Sequence, residues 1–234
     1  MTTSSLMLLL ADGRFPAGAH AHSGGLEAAV AAGRVTDLAS LEAFLAGRLA
    51  TAGLVGAAFA AAAHRAAVAV DAAGPGPSRP AALARLDAEL DARTAAPALR
   101  AVSRRQGRAL LRAGREIWPD TPFDDLPTEP GGAHQPLVLG LLCAAAGLSR
   151  SDTATVAAYA TLTGAASAGV RLLGLDPYRV QALLVGLADA CDGTAADAAR
   201  AADDPPERLP AAAAPLADIH AEVHATWEVR LFAS

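Results

Sequence analysis

Between Thr153 and Val170 the chain runs for 18 residues without a charged side chain, and Thr, Ser and Gly recur through TATVAAYATLTGAASAGV. A membrane-spanning helix wants about 20 mostly apolar residues, so this mixed stretch predicts a buried core helix instead. Small side chains at Gly164, Ala165, Ser167 and Gly169 let neighbouring helices cross it closely. A chain that holds such a helix at its centre must supply others to surround it.

The rest of the chain can do so. Hydrophobic residues make up 53% and aromatics only 4%, which leaves a core built from Ala, Leu and Val. Alanine is the best helix former, so the composition predicts an all-α protein. At 234 residues the length suits one domain with a sizeable core. The net charge of −5 discourages non-specific binding to nucleic acid or an anionic membrane. All 19 basic residues are Arg, which together with the alanine excess reads as base-composition bias. Cys143 and Cys191 are far apart in apolar or helical surroundings, as expected of buried free thiols in a reducing compartment. The first ten residues carry no basic side chain and Asp12 ends their apolar run, so no secretory signal is visible. A cytoplasmic protein is expected.

Punctuation divides the chain into about eight to ten helices of one domain, with loops expected at 71–80, 119–135 and 192–215. Thr36 or Asp37 caps a helix that runs towards Val70 with a break near Gly53. Pro97 opens a helix reaching about Trp118, and Pro136 suits the first turn of another. Ser149 with Asp152 forms a capping box ahead of the central helix, and Gly174 ends it. Asp176-Pro177 starts the next. The Ala/Asp/Pro-rich stretch from Asp192 to Pro215 reads as a mobile connector. The final helix is expected over Leu216 to Phe232, with Leu216, Ile219, Val223 and Trp227 on one face and His220 and His224 flanking that seam.

Three places carry unusual chemistry. Phe15 to Glu27, FPAGAHAHSGGLE, packs a proline, three glycines, two histidines and a serine into a shaped loop that feeds a helix. Its glycines do not make a dinucleotide fingerprint and no P-loop Lys follows. Ser23 lacks the first glycine of a nucleophile elbow. A serine hydrolase would have to pair Ser23 with His22 or His20, and no third group is evident. The second place is the basic stripe Arg100, Arg104, Arg108, Arg112 and Arg115, a solvated face or a docking face for an acidic partner or nucleic acid. The third is HAEVH, where the glutamate is one position off for a zinc protease. His20, His22, His220 and His224 are metal-ligand candidates only if further ligands converge; His220 and His224 read better as packed and hydrogen-bonded.

Four segments in order resemble the urease accessory proteins of the UreF type. They are the Phe15–Glu27 loop, SRRQGRALLR (Ser103 to Arg112), AHQPLVLGLLCAAAGLS (Ala133 to Ser149) and HAEVHATWEVRLFAS at the end. Within them Pro16, Gly18, His22, Ser23, Gly25, Leu26 and Glu27 match the first signature. Arg104, Gly107 and Arg108 match the middle helix, and His220, His224, Arg230, Leu231 and Phe232 match the last. His20 stands where the family carries an aromatic, and Phe15-Pro16 where it carries Leu-Pro. The resemblance implies an all-helical, dimeric protein with no reaction or cofactor of its own. It implies a chaperone-like scaffold that bridges a UreD/UreH-type accessory protein and a UreG-type GTPase, so that nickel enters apo-urease. The matched residues would divide between a partner surface and the packing behind it.

Overall fold

The computed structural model describes residues 3–16, 21–69, 77–128 and 130–232, and among these the regular structure is entirely helical. The helices are α1 (Thr3–Ala11), α2 (Leu26–Ala31), α3 (Leu38–Arg48), α4 (Leu54–Val68), α5 (Arg79–Arg93), α6 (Pro97–Ile117), α7 (Gln135–Ala145), α8 (Arg150–Leu173), α9 (Pro177–Gly186), α10 (Ala188–Ala201) and α11 (Pro215–Ala225). A π-helical turn over Leu49–Gly53 joins α3 to α4, so these two form one rod and the described residues hold ten helices.

The starts follow local chemistry. The Asp37 carboxylate accepts from the Ser40 N–H at 2.9 Å and opens α3. Ser149 and Asp152 satisfy each other's backbone N–H groups at the head of α8, which ends at Gly174 with φ 62°. Such reciprocal caps satisfy donors that a helix start would otherwise leave unpaired.

Two helices make the centre. α8 packs against α4, α10 and five other helices, as its uncharged stretch requires. α4 is buried more completely: from Ala57 to Ala63 no residue exceeds 4% exposure, with Phe59 fully enclosed. Alanine makes this possible because it brings backbones together. A Cβ on Gly140 of α7 would lie 2.4 Å from the Ala60 carbonyl oxygen, so only glycine allows that crossing. α4 and α8 lie within continuous helices long and apolar enough to cross a membrane, and here they pack against each other in the protein core.

Three expectations need correction or bounding. The stretch from Asp192 is no connector: it continues α10 to Ala201, burying Cys191, Ala195, Ala198 and Ala199. Ala/Asp alternation hid an amphipathic helix whose apolar face is alanine. Beyond it, Arg93 donates to the carbonyls of Pro206, Glu207 and Leu209 and ties down the 202–214 segment. The last helix stops at Ala225, short of Phe232. Of the loop expected at 71–80, residues 71–76 lie outside the described residues and α5 already begins at Arg79. Within the 119–135 stretch the described residues carry a 3-10 turn at Phe123–Asp125 that buries Phe123, and α7 begins at Gln135.

Candidate partner-docking site

The Phe15–Glu27 loop and the chain end meet on one carboxylate. Ser23 is fully buried, and its Oγ accepts the Glu27 N–H at 3.3 Å. Gly24 and Gly25 adopt φ of 63° and 90°, which an L side chain resists, and Gly25 delivers the chain into α2. This turn aims Glu27 at the terminal segment. Its Oε2 accepts from His224 Nε2 at 3.0 Å and from the Phe232 N–H at 3.0 Å, while Oε1 accepts from the Leu231 N–H at 2.8 Å. Burial alone would raise the Glu27 carboxyl, yet the Leu231 N–H, the His224 ring and the Phe232 N–H hold it below the ordinary carboxylate value. Trp227 lies against the His224 ring at 4.7 Å, and the Arg171 guanidinium sits 4.7 Å over the Phe232 ring.

This latch inverts the expected face of α11. Ala221 and His224 point inward, whereas Leu216, Ile219 and Val223 are exposed at 44%, 60% and 52%. Val229, Arg230 and Leu231 are exposed beside the latched backbone. The spacing marked an apolar stripe correctly, but periodicity cannot tell a core from an uncovered surface. His220 is half-buried and His22 likewise. Pro16 is exposed beside the buried Phe15, and Gly18 and His20 lie outside the described residues. Among the described residues no three of His, Cys, Asp and Glu converge as a metal site. Ser23, sealed in the turn, is not an accessible nucleophile.

A second buried cluster joins the two middle motifs. Arg104 is 6% exposed and bridges Asp87 at 2.9 Å and Asp91 at 2.8 Å on α5. Asp87 also accepts the His134 N–H at 3.0 Å, and Asp91 meets His134 Nε2 at 3.0 Å. Burial opposes ionisation of Asp91, but Arg104 and His134 keep its carboxyl below the usual range. Desolvation holds the His134 ring below its ordinary value despite the neighbouring carboxylates. Gly107 completes the junction: a Cβ there would fall 2.2 Å from the Ala133 carbonyl oxygen.

The basic stripe is therefore largely committed within the chain. Arg104 is buried, Arg100 donates to the carbonyls of Thr94 and Ala95, Arg108 to that of Gly131, and Arg115 pairs with Asp124 at 2.7 Å. Arg105 and Arg112 are exposed and have no ion pair among the described residues. Asp87 and Asp91 were missed by motif reading. Their i,i+4 spacing puts both acids on one face of α5, and that was the signal available.

By class the described residues form an all-helical protein whose buried polar clusters fasten segments together beside an uncovered apolar helix face. Comparison with known proteins gives the particular family. Residues 35–188 match the family model UreF. The chain is 44% identical over 234 residues, all of both chains, to the urease accessory protein UreF of Mycobacterium sp. strain JLS. It is 42% identical over the same length to that of Mycolicibacterium vanbaalenii strain DSM 7251. Over 198 residues it is 46% identical to that of Mycobacterium tuberculosis strain ATCC 25177, covering 85% of this chain and 86% of the relative. The chain belongs to the UreF family of urease accessory proteins, and its role is in urease maturation as an accessory protein rather than an enzyme. The family model omits the Phe15–Glu27 loop and α11, whereas the full-length relatives span both.

Proposed function

We propose that this chain is a cytoplasmic, homodimeric scaffold that bridges a UreD/UreH-type accessory protein and a UreG-type GTPase while nickel, the cargo, is inserted into apo-urease. The observation that carries the bridging role is the surface built on Glu27. A buried carboxylate holds the terminal segment in place, and the apolar side chains of α11 and residues 229–231 remain outside. Leaving Leu216, Ile219, Val223 and Leu231 in water forgoes burial worth about 25 cal/mol per Å². A partner's apolar face would recover that contribution, and we assign the face to the UreD/UreH-type protein. Arg105 and Arg112 on α6 leave only a small basic patch, so the GTPase contact is not assigned to the Arg stripe.

Co-expression of the chain with both partner types, followed by gel filtration and mass measurement, tests the reading. A ternary complex containing two copies of this chain is expected. A chain that elutes alone, at one copy, under those conditions overturns it.

A further inference from the structure

One cleft is not absorbed by the docking surface. It lies between the His22–Gly25 loop, the π turn at Thr51 and Ala52, α6, α8 and the head of α11, and encloses about 350 Å³. Small-ligand pockets run from about 300 to 1,000 Å³, so this one suits a small molecule.

Two guanidinium groups line it, and they differ. Arg93 is paired with the Glu89 carboxylate and donates to four backbone carbonyls, those of Glu89, Pro206, Glu207 and Leu209. Arg48 has no carboxylate partner among the described residues. Its one hydrogen bond runs from Nη1 to the Gly24 carbonyl, and its Nε is enclosed with no acceptor. The guanidinium lies close against Gly24, where a Cβ would come 2.7 Å from Cζ. Desolvation pushes Arg48 down to about 10, as expected of a cation whose counter-charge is missing. Arg48 is half-buried, and a partly desolvated cation without a counter-charge is costly, a cost that a bound anion relieves. Thr51 and Gln106 add neutral polar groups to the walls. The other titratable groups lining the cleft are His22, half-buried in the loop, and Asp218 on α11, half-buried, whose carboxyl burial pushes up.

We propose that this cleft is a binding site for a small oxyanion, phosphate or carboxylate, with Arg48 as its cationic anchor and Asp218 as the group that weakens binding when ionised. A planar fork presenting free N–H groups is the side chain suited to such anions. The site shares the Gly24–Gly25 turn with the Glu27 latch but none of the latch's donors or acceptors, and it does not depend on the scaffold reading.

The test uses the full chain with inorganic phosphate and, separately, acetate as probes. Binding is followed at the Arg48 Nε–H resonance and by thermal shift at millimolar anion. A saturable shift of that resonance is expected. Arg48→Gln should weaken binding at least about tenfold, since a charge-assisted bond is lost. Asp218→Asn should tighten it about two- to fivefold, as expected for removing a like charge across a partly hydrated cleft. The proposal falls if neither anion gives saturation, if a folded Arg48→Gln chain binds as well as the parent, or if Asp218→Asn weakens binding. Should Arg48→Gln not fold, the direction of the Asp218→Asn change decides.

Discussion

Replacing Glu27 with Gln tests the junction on which the proposed docking surface stands. The side chain keeps its size but loses its charge and one acceptor oxygen. Three donors converge on the carboxylate at 2.8–3.0 Å: His224 Nε2, the Leu231 N–H and the Phe232 N–H. A carboxamide can serve the donors on one side only, and its own NH₂ then faces an N–H. One charge-assisted bond is lost and one donor is left unpaired, together worth about 2–3 kcal/mol. The loss should appear first as local opening of residues 226–232, because α11 packs mainly on α2 and α6 while α4, α7, α8 and α10 hold one another in the core. At 1.4 kcal/mol per tenfold, hydrogen-exchange protection of the Leu231 and Phe232 amides should fall by about 30- to 150-fold. Amides of α4 should keep theirs. The parent should show the same opening on acidification. Because the folded Glu27 carboxyl lies below its ordinary value of 4.5, its contribution is complete above that pH and is lost as pH falls through the folded value. Unchanged protection of both terminal amides in the Gln variant would refute the latch.

Other outcomes follow from the same geometry. Gly107→Ala should lower the melting temperature through an overpacking cost of about 1–3 kcal/mol or more, since its Cβ would meet the Ala133 carbonyl oxygen at 2.2 Å. Ile219→Asp should leave the melting temperature of the isolated chain within about 0.5 kcal/mol equivalent, yet abolish capture of the UreD/UreH-type partner in a pull-down. Cys143 is fully buried and pushed up to about 12, so a thiol reagent at neutral pH should label it only after denaturant unfolds the chain.

Much of the architecture was legible beforehand because its signals are local. The caps at Asp37, Ser149 and Asp176 and the stop at Gly174 are chemistry between residues a few positions apart, whereas the break expected near Gly53 is a π turn within one continuous helix. α10 was not legible: its buried positions are alanines and a cysteine, so the stripe contrasted weakly with its surroundings. The unusual motif residues were also visible, but not their use. Arg104 read as part of a basic face and is enclosed by Asp87 and Asp91, partners 17 and 13 positions away. His224 read as packed and hydrogen-bonded, and so it is, but its partner Glu27 lies 197 positions earlier.

By itself, then, the sequence determined the helical class, most helix boundaries, a central α8 and the membership signalled by four ordered segments. Helix propensity, capping and periodicity act within a turn or two, and residues alone specify them. Only the tertiary structure decided that α4 is buried more completely than α8, that Glu27 fastens both ends of the chain, and that the Leu216–Val223 face of α11 looks outward. Which side of an apolar stripe becomes core depends on what the distant chain brings to cover it. On α11 that choice went to Ala221 and His224, because a carboxylate from the opposite end of the chain was waiting for the imidazole.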